Sequence, residues 1–143
     1  MARSTSWLLA ALLALAMLGG CFGAVGSEDR RRAEEEVLQF HVRLNKGDIE
    51  AIWEGAGDEL RRAVSHEDFT KLLEAVNRKL GDEQYTQTKS QTFMVRSGGT
   101  IYTLVQETQF DSGKGVETFV FKLEQSRAVL VGYYINSLDL LAP

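Results

Sequence analysis

The sequence predicts an α+β domain with three N-terminal helices, followed by a four-stranded antiparallel meander that curls around the first helix. Apolar residues recur at helical spacing as far as Gly81. After it the period changes to two, and Thr, Val, Tyr and Phe become frequent. The connections between the predicted strands are so short that only antiparallel neighbours can use them. One domain of this kind accounts for the chain that remains after its leader segment.

The first twenty residues have the form of a secretory signal. Arg3 gives a positive start, Trp7–Leu18 is an unbroken apolar segment, and two glycines follow. The apolar segment is shorter than the ~20 residues that a membrane-spanning helix needs. Removal of residues 1–20 leaves 123 of the 143 residues, and loss of the Arg3 charge changes the net charge from −4 to −5. An acidic chain suits nucleic acid poorly, so we expect no nucleic-acid partner.

Leu18-Gly19-Gly20-Cys21 resembles the lipobox of bacterial lipoproteins. The resemblance implies that the Cys21 thiol is diacylglycerylated, that the signal is cut before it, and that the new amine is usually acylated, with palmitate as the expected acyl group. Two or more acyl chains, at about 0.8 kcal/mol per buried methylene, hold a protein on a membrane. The sequence therefore predicts a membrane partner through lipid on Cys21. The alternative is ordinary cleavage after Gly23 or Ala24, which releases the protein into the extracytoplasmic space.

The predicted location is the extracytoplasmic side of the cell envelope. Phe22 rather than Asp follows the cysteine, which resembles the outer-membrane sorting pattern of enteric-type bacteria. In a Gram-negative source the protein would then face the periplasm from the outer membrane. Residues 21–26 form the predicted lipidated N-terminus and tether, residues 27–137 the domain, and residues 138–143 a C-terminal tail. Cys21 is the single cysteine, so no intramolecular disulfide is possible.

The first predicted helix begins with Ser27 as its N-cap. Its apolar face repeats at steps of four, three and four residues in Ala33, Val37, Phe40 and Leu44. Lys46 and Gly47 supply stop signals. In the run Arg30–Glu36 each arginine lies four residues before a glutamate, so we predict surface ion pairs. Contact of this run with lipid headgroups is the alternative.

Two further helices are predicted before the sheet. Asp48 caps a short one, and after Gly57 a turn or two follows from Asp58. The longer helix opens with Ser65 as N-cap and closes at Gly81. Its predicted buried stripe consists of Phe69, Leu72, Leu73, Val76 and Leu80.

The strands are predicted at residues 84–96, 100–111, 116–124 and 128–136. The first has no large apolar side chain from Thr86 to Thr92, which is typical of an edge strand or of the wall of a wet concavity. The last is apolar on both faces, with Leu130 and Tyr134 opposite Val129, Val131, Tyr133 and Ile135. We expect a second copy of the chain or an envelope protein to cover its outer face, with Tyr134 as the anchor and Leu130 beside it.

The motifs that would signal catalysis or metal binding are incomplete. Gly113-Lys114 lies in a turn between two strands, whereas a phosphate loop leads into a helix. His66-Glu67 begins like a metalloprotease motif, but Thr70 stands where the second histidine belongs. No serine lies in a nucleophile motif. We therefore predict no catalytic residue, metal or cofactor.

Two functions from different classes follow. The first is a non-catalytic accessory or binding domain displayed on the envelope. The alternative is a small-ligand-binding or hydrolytic domain that uses the concavity between sheet and helices, with His41, Tyr85 and Glu107 as its polar candidates. His41 borders the apolar stripe of the first helix, so a satisfied, half-buried histidine is the simpler interpretation.

From Gly47 to Ser137 the chain resembles the bacterial domain-of-unknown-function family 4019, which consists of small exported proteins and lipoproteins. The matching pieces are packing and turn residues: Gly47-Asp48 with Trp53, Leu60-Arg61 before Val64-Ser65, Val116-Glu117-Thr118, and Val131-Gly132-Tyr133-Tyr134-Ile135. Ala128 stands where family members often carry Trp. The resemblance implies an α+β cone similar to the nuclear-transport-factor-two-like and cystatin-like folds, which host enzymes and inert binders alike.

Overall fold

The computed structural model describes residues 24–141 of the chain and shows an α+β domain. The helices are α1 (Ala24–Asn45), α2 (Ile49–Gly55), α3 (Asp58–Ala63) and α4 (His66–Leu80), and the strands are β1 (Glu83–Arg96), β2 (Gly99–Phe110), β3 (Gly113–Leu123) and β4 (Ala128–Asn136). The strands form one antiparallel sheet in the order β1-β2-β3-β4, which confirms the predicted meander. Residues 1–20 and Cys21, predicted as signal and lipidation site, lie outside the described residues.

Four helices precede the sheet where the sequence predicts three. The turn or two expected after Gly57 is the complete short helix α3. Its acidic first turn and basic last turn both match the helix dipole. Arg61 of α3 also donates to the carbonyls of Glu54 and Ala56 at 2.7 and 2.6 Å. These bonds satisfy the free carbonyl groups at the end of α2, so the two short helices stabilise each other.

Helix α1 begins at Ala24, three residues before the predicted N-cap Ser27. Ala24 favours helix, and although Val25 and Gly26 are weak helix formers, no proline among residues 24–27 blocks the helix. Residues 24–26, which are predicted from the sequence to belong to the tether, are therefore helical. Two of the three predicted ion pairs form, Arg30–Glu34 and Arg31–Glu35. Arg32 instead turns back toward the first turns of the helix.

The ends of α4 are those that the sequence predicts. The Ser65 side chain accepts a hydrogen bond from the Asp68 N–H at 3.1 Å, and Gly81 follows the helix with a φ of +79°. Strand β3 begins at Gly113 rather than at residue 116, because the turn before it contains only Asp111 and Ser112. The other predicted strand bounds agree within one residue.

The core lies between the helices and one face of the sheet. Side chains from α1, α4 and every second position of β2 and β3 fill it, among them Phe40, Leu73, Leu104, Phe119 and Phe121. Strand β1 contributes little, since all its residues are exposed or half-buried. It is an edge strand, as its polar sequence predicts.

A β-bulge in β4 overturns the predicted faces of that strand. Gly132 pairs with Val120 and Leu130 pairs with Phe121, so Val131 is an extra residue. The extra residue reverses the alternation, and Leu130 therefore points into the core together with Tyr133. The prediction that Leu130 lies beside Tyr134 on an outer interface is wrong.

Part of the β4 edge is covered within the chain itself. The Gly57 N–H donates to the Leu130 carbonyl at 2.8 Å, which brings the α2–α3 connection against the strand. A Cβ at position 57 would lie 3.0 Å from Val131 and 3.1 Å from Val129, so only glycine allows this approach without displacement. The cover ends there, because no other backbone hydrogen bond from outside the sheet reaches β4 within residues 24–141.

Candidate functional site

The most unusual feature of the core is a buried polar cluster centred on the Glu117 carboxylate. His41 Nε2 lies 2.8 Å from Oε2 of Glu117, and the Thr108 hydroxyl donates to the same oxygen at 2.5 Å. The Tyr133 hydroxyl donates to Oε1 at 2.7 Å. An ionised carboxylate only accepts, so the bound imidazole nitrogen carries its proton at Nε2. We call these four residues the Glu117 cluster.

Four different elements bring the Glu117 cluster together. Glu117 shares the inner face of β3 with Phe119, and Thr108 and Tyr133 occupy the neighbouring strands at diagonal positions. His41 comes from α1, which packs across this face. The cluster therefore joins the first helix to three strands of the sheet.

Aromatic rings close the space around the cluster. Phe119 packs edge-on against His41, with centroids 5.7 Å apart, and Phe40 contacts both Phe119 and Tyr133. His41 is 2% exposed and Glu117 is 0% exposed. Burial, followed by the charge of Glu117 and the hydrogen bond to it, raises the pKa of Tyr133 well above its ordinary value. The phenol therefore stays protonated and remains a donor to the carboxylate.

A histidine beside a carboxylate is a pair that enzymes use for proton transfer, but here it is sealed. A general base must come within hydrogen-bond distance of its substrate, directly or through one water. Neither His41 nor Glu117 lines any of the five main clefts on the surface of residues 24–141. All three donors already satisfy the carboxylate. The geometry is that of an internal clamp.

The polar zone continues from Glu117 toward β1. Gln106 is the direct cross-strand partner of Glu117 and is buried, and its Oε1 has no hydrogen-bond partner among the described residues. Further along β2, the Tyr102 hydroxyl donates to Gln91 of β1 at 2.9 Å. Burial raises the pKa of Tyr102 to about 12. The inner face of β2 thus carries more polar side chains than the inner face of the neighbouring strand β3.

The structure does not bring the three predicted pocket residues together. His41 is fully buried rather than at the rim of the core, because Glu117 offers it a partner there. Tyr85 lies exposed near the start of β1. Glu107 lies on the outer face of the sheet, where Lys89 approaches it at 3.4 Å. The concavity between sheet and helices, which these residues were expected to line, is filled by core side chains.

Glu107 does border a cleft on the outer face of the sheet. This cleft, of about 290 Å³, is also lined by Lys114, Asn136, Leu138 and Asp139. The Asp139 carboxylate accepts from the Lys114 backbone N–H at 3.0 Å, which holds the C-terminal segment against the hairpin. The cleft therefore lies under the predicted tail and contains no histidine.

Tyr134, the predicted interface anchor, is 66% exposed. It borders an apolar groove of about 240 Å³ between β4 and the helices α3 and α4. The groove walls include Leu60, Val64, Phe69 and Leu72. The groove adjoins the part of β4 that follows Leu130, whose carbonyl accepts the hydrogen bond from Gly57. An apolar surface and an open sheet edge therefore lie side by side here.

Sequence reasoning missed Glu117, Thr108 and Tyr133 as a set. Glu117 lies two residues before Phe119, so the alternation that predicts a buried Phe119 also places Glu117 on the buried face. A carboxylate at such a position needs a partner, and His41 is one of only two histidines in the chain. The signal was present in the strand pattern.

Within residues 24–141 no helix is long and apolar enough to cross a membrane, and no group of three or more His, Cys, Asp or Glu side chains could hold a metal ion. Comparison of the chain with protein-family models, with curated proteins and with solved structures gave no match.

Proposed function

We propose that the chain is a lipoprotein of the cell envelope whose domain acts as a non-catalytic accessory or binding module. The lipobox Leu18-Gly19-Gly20-Cys21 carries the anchoring part of this proposal. The sealed Glu117 cluster supports the non-catalytic part, because a substrate has no route to the histidine and carboxylate. Membership of the domain-of-unknown-function family 4019 stays a prediction.

The proposed anchor is the acylated Cys21, including a palmitoyl-type chain on its amine. After removal of residues 1–20, only Phe22 and Gly23 separate it from the first described residue of α1. The domain would then lie on the extracytoplasmic side, and in a Gram-negative source it would face the periplasm from the outer membrane. The curl of the sheet around α1 belongs to the same proposal, and contact of His41 with the centre of the sheet supports it.

The partner surface in this proposal is the groove beside Tyr134. An exposed aromatic next to an apolar groove and an unpaired strand edge has the composition of an interface core. Its occupant would be a second copy of the chain or another envelope protein. Leu130, once expected here, belongs to the core.

Fractionation of cells that express Cys21→Ser tests the anchor. Wild type is expected in the membrane fraction and the variant in the soluble fraction, because serine cannot carry the thioether-linked lipid. A variant that stays with the membrane would refute the lipid anchor.

Sedimentation of a chain that begins at Phe22, with affinity capture from envelopes, tests the partner surface. Tyr134→Lys is expected to abolish self-association or capture, while Tyr85→Lys, at a similarly exposed tyrosine, is expected to leave both unchanged. A monomer whose capture is untouched by Tyr134→Lys would remove the support for this surface.

The alternative, a small-ligand-binding or hydrolytic domain, requires an opening onto His41. Binding of small ligands to the outer cleft beside Glu107 would leave the Glu117 cluster unaffected, whereas a ligand in the concavity would have to displace Phe40 or Phe119. Nuclear magnetic resonance spectra of the His41 ring during ligand screening distinguish the two.

A further inference from the structure

The tip of the β1–β2 hairpin carries exposed apolar side chains. Strand β1 has none of large size from Thr86 to Thr92, and then has three in succession: Phe93, Met94 and Val95. Phe93 and Met94 are about half exposed, and Val95 is 82% exposed. Neighbouring residues of a strand point to opposite faces, so this tip is apolar on both sides.

This tip lies at the same end of the domain as the beginning of α1. The Phe93 ring contacts Tyr102, with centroids 4.5 Å apart, and the charges of Glu34 and Arg30 of α1 act on the Tyr102 phenol. Thr100, the cross-strand partner of Val95, lines a cleft together with Glu28, Asp29 and Arg32. The first turns of α1 therefore flank the hairpin tip.

The other ends of the same two elements also meet. The Glu83 N–H donates to Asn45 Oδ1 at 3.0 Å, which fixes the last residue of α1 to the first residue of β1. From this junction α1 extends about 32 Å, at 1.5 Å per residue, and β1 extends about 40 Å to Val95, at 3.3 Å per residue. Helix start and hairpin tip thus project in one direction by similar lengths.

The proposed anchor is close to this end. Ala24 lies three positions after Cys21 in the sequence, so the two residues are at most about 11 Å apart. A lipid on Cys21 therefore holds the start of α1 within about the thickness of a headgroup layer.

We propose that the hairpin tip is a second membrane contact, in which Phe93, Met94 and Val95 enter the boundary between headgroups and acyl chains. This inference rests on the proposed lipid anchor, which brings the tip to the surface. Exposed apolar side chains at this depth gain by leaving water.

One cation, Arg96, lies at the tip itself and contacts Met94 Sδ at 3.0 Å, whereas the arginines of α1 beside the tip are paired with acids. Arg30 pairs with Glu34 at 3.8 Å, and Arg32 lies 3.6 Å from Asp29. Arg31 is bound to Glu28, which leaves no block of unpaired cations on α1 for anionic lipid. We therefore expect contact with a zwitterionic surface as well as with an anionic one.

Fluorescent labels on the full lipidated protein test the contact. Ser97→Cys places a thiol at the exposed tip, and Ser112→Cys places one at the exposed turn of the opposite end. Each is labelled with an environment-sensitive dye in vesicles of phosphatidylcholine, with and without phosphatidylglycerol. The label at position 97 is expected to shift to the blue and to be quenched by lipids that carry a headgroup quencher. The label at position 112 is expected to show neither effect.

A matched pair of variants assigns the effect to the tip. Val95→Asp is expected to abolish the blue shift at position 97, whereas Leu138→Asp, at a residue that is also 82% exposed but lies at the other end, is expected to preserve it. Both proteins are expected to stay in the membrane fraction through their lipid.

The outcomes separate this inference from the proposed anchor. A wild-type protein found in the soluble fraction refutes the anchor, and the inference with it. A membrane-bound protein whose label at position 97 keeps an aqueous spectrum overturns the tip contact alone. A blue shift that requires phosphatidylglycerol overturns the apolar contact in favour of arginines.

Discussion

Replacement of Glu117 by Gln tests whether the Glu117 cluster clamps α1 to the sheet. The carboxylate has hydrogen-bond partners in His41, Thr108 and Tyr133 at 2.8, 2.5 and 2.7 Å. A hydrogen bond to a charged group contributes about 1.5–3 kcal/mol and a neutral one about 0.5–1.5 kcal/mol, so each bond loses about 1 kcal/mol when the charge is removed. We expect the free energy of unfolding to fall by about 3 kcal/mol and Tm by on the order of 10 °C.

Urea unfolding of a chain that begins at Phe22 measures this change. Trp53 is then the single tryptophan, and it packs against Phe69 in the fold. Glu107→Gln is the matched control, because Glu107 lies on the outer face with a half-exposed ion pair. It is expected to change the free energy of unfolding by at most about 0.5 kcal/mol.

A double-mutant cycle with His41→Leu supplies the refutation. If the clamp exists, the two changes together cost less than the sum of the single changes, because either one alone breaks the pair. Equal effects of Glu117→Gln and of its control, or strict additivity with His41→Leu, would show that the cluster does not hold α1. Glu117→Ala is less informative, because it leaves three buried donors unpaired. At about 1–3 kcal/mol for each donor, the total cost approaches the whole free energy of unfolding of a small domain.

Three further changes have expected outcomes. The raised pKa of Tyr133 means that its stabilising contribution is complete below the ordinary tyrosine value of 10.0 and is lost as the pH rises above it. We therefore expect the urea midpoint of the wild type to fall as the pH rises above about 10. The fall is expected to be less steep in Tyr133→Phe, whereas in Tyr134→Phe it is expected to be as steep as in the wild type. Gly81→Ala is expected to cost at least about 1–3 kcal/mol by thermal unfolding, because φ is +79° and the new Cβ would lie 2.8 Å from a neighbouring side chain. Gly98→Ala, with open space around it, is its control, and an equal effect of both would contradict the argument. Ser65→Ala is expected to cost about 0.5–2 kcal/mol through loss of the α4 cap, and an unchanged midpoint would contradict this.

The helices and strands could be predicted because their signals are local. The apolar stripe of α4 and its two caps lie within one continuous segment, and the strand period begins immediately after Gly81. The start of α1 was missed because Ser27 is a good cap that the helix does not use, although Val25 and Gly26 before it are weak helix formers. Local preference alone could not decide between these two starts.

The site could not be predicted as a whole because its parts meet through tertiary structure. His41 and Glu117 are 76 positions apart, and nothing in either local pattern names the other. The face of Leu130 depends on the bulge at Val131, which a simple alternation cannot contain. The alternation of period two therefore predicted the bounds of β4 correctly but placed Leu130 on the wrong face of the strand.

The separation of His41 and Glu117 along the chain also determines when the core can close during synthesis. Every element of the sheet follows the helices in the chain, and α1 contacts the carbonyl of Gln125 as well as Glu117. Because a ribosome delivers residue 41 long before residue 117, the apolar face of α1 has no sheet to cover it until most of the chain has emerged. Closure of such a long loop is also slow compared with local pairing. Late closure of the core is compatible with the proposed export, because the chain stays unfolded while it is still being synthesised.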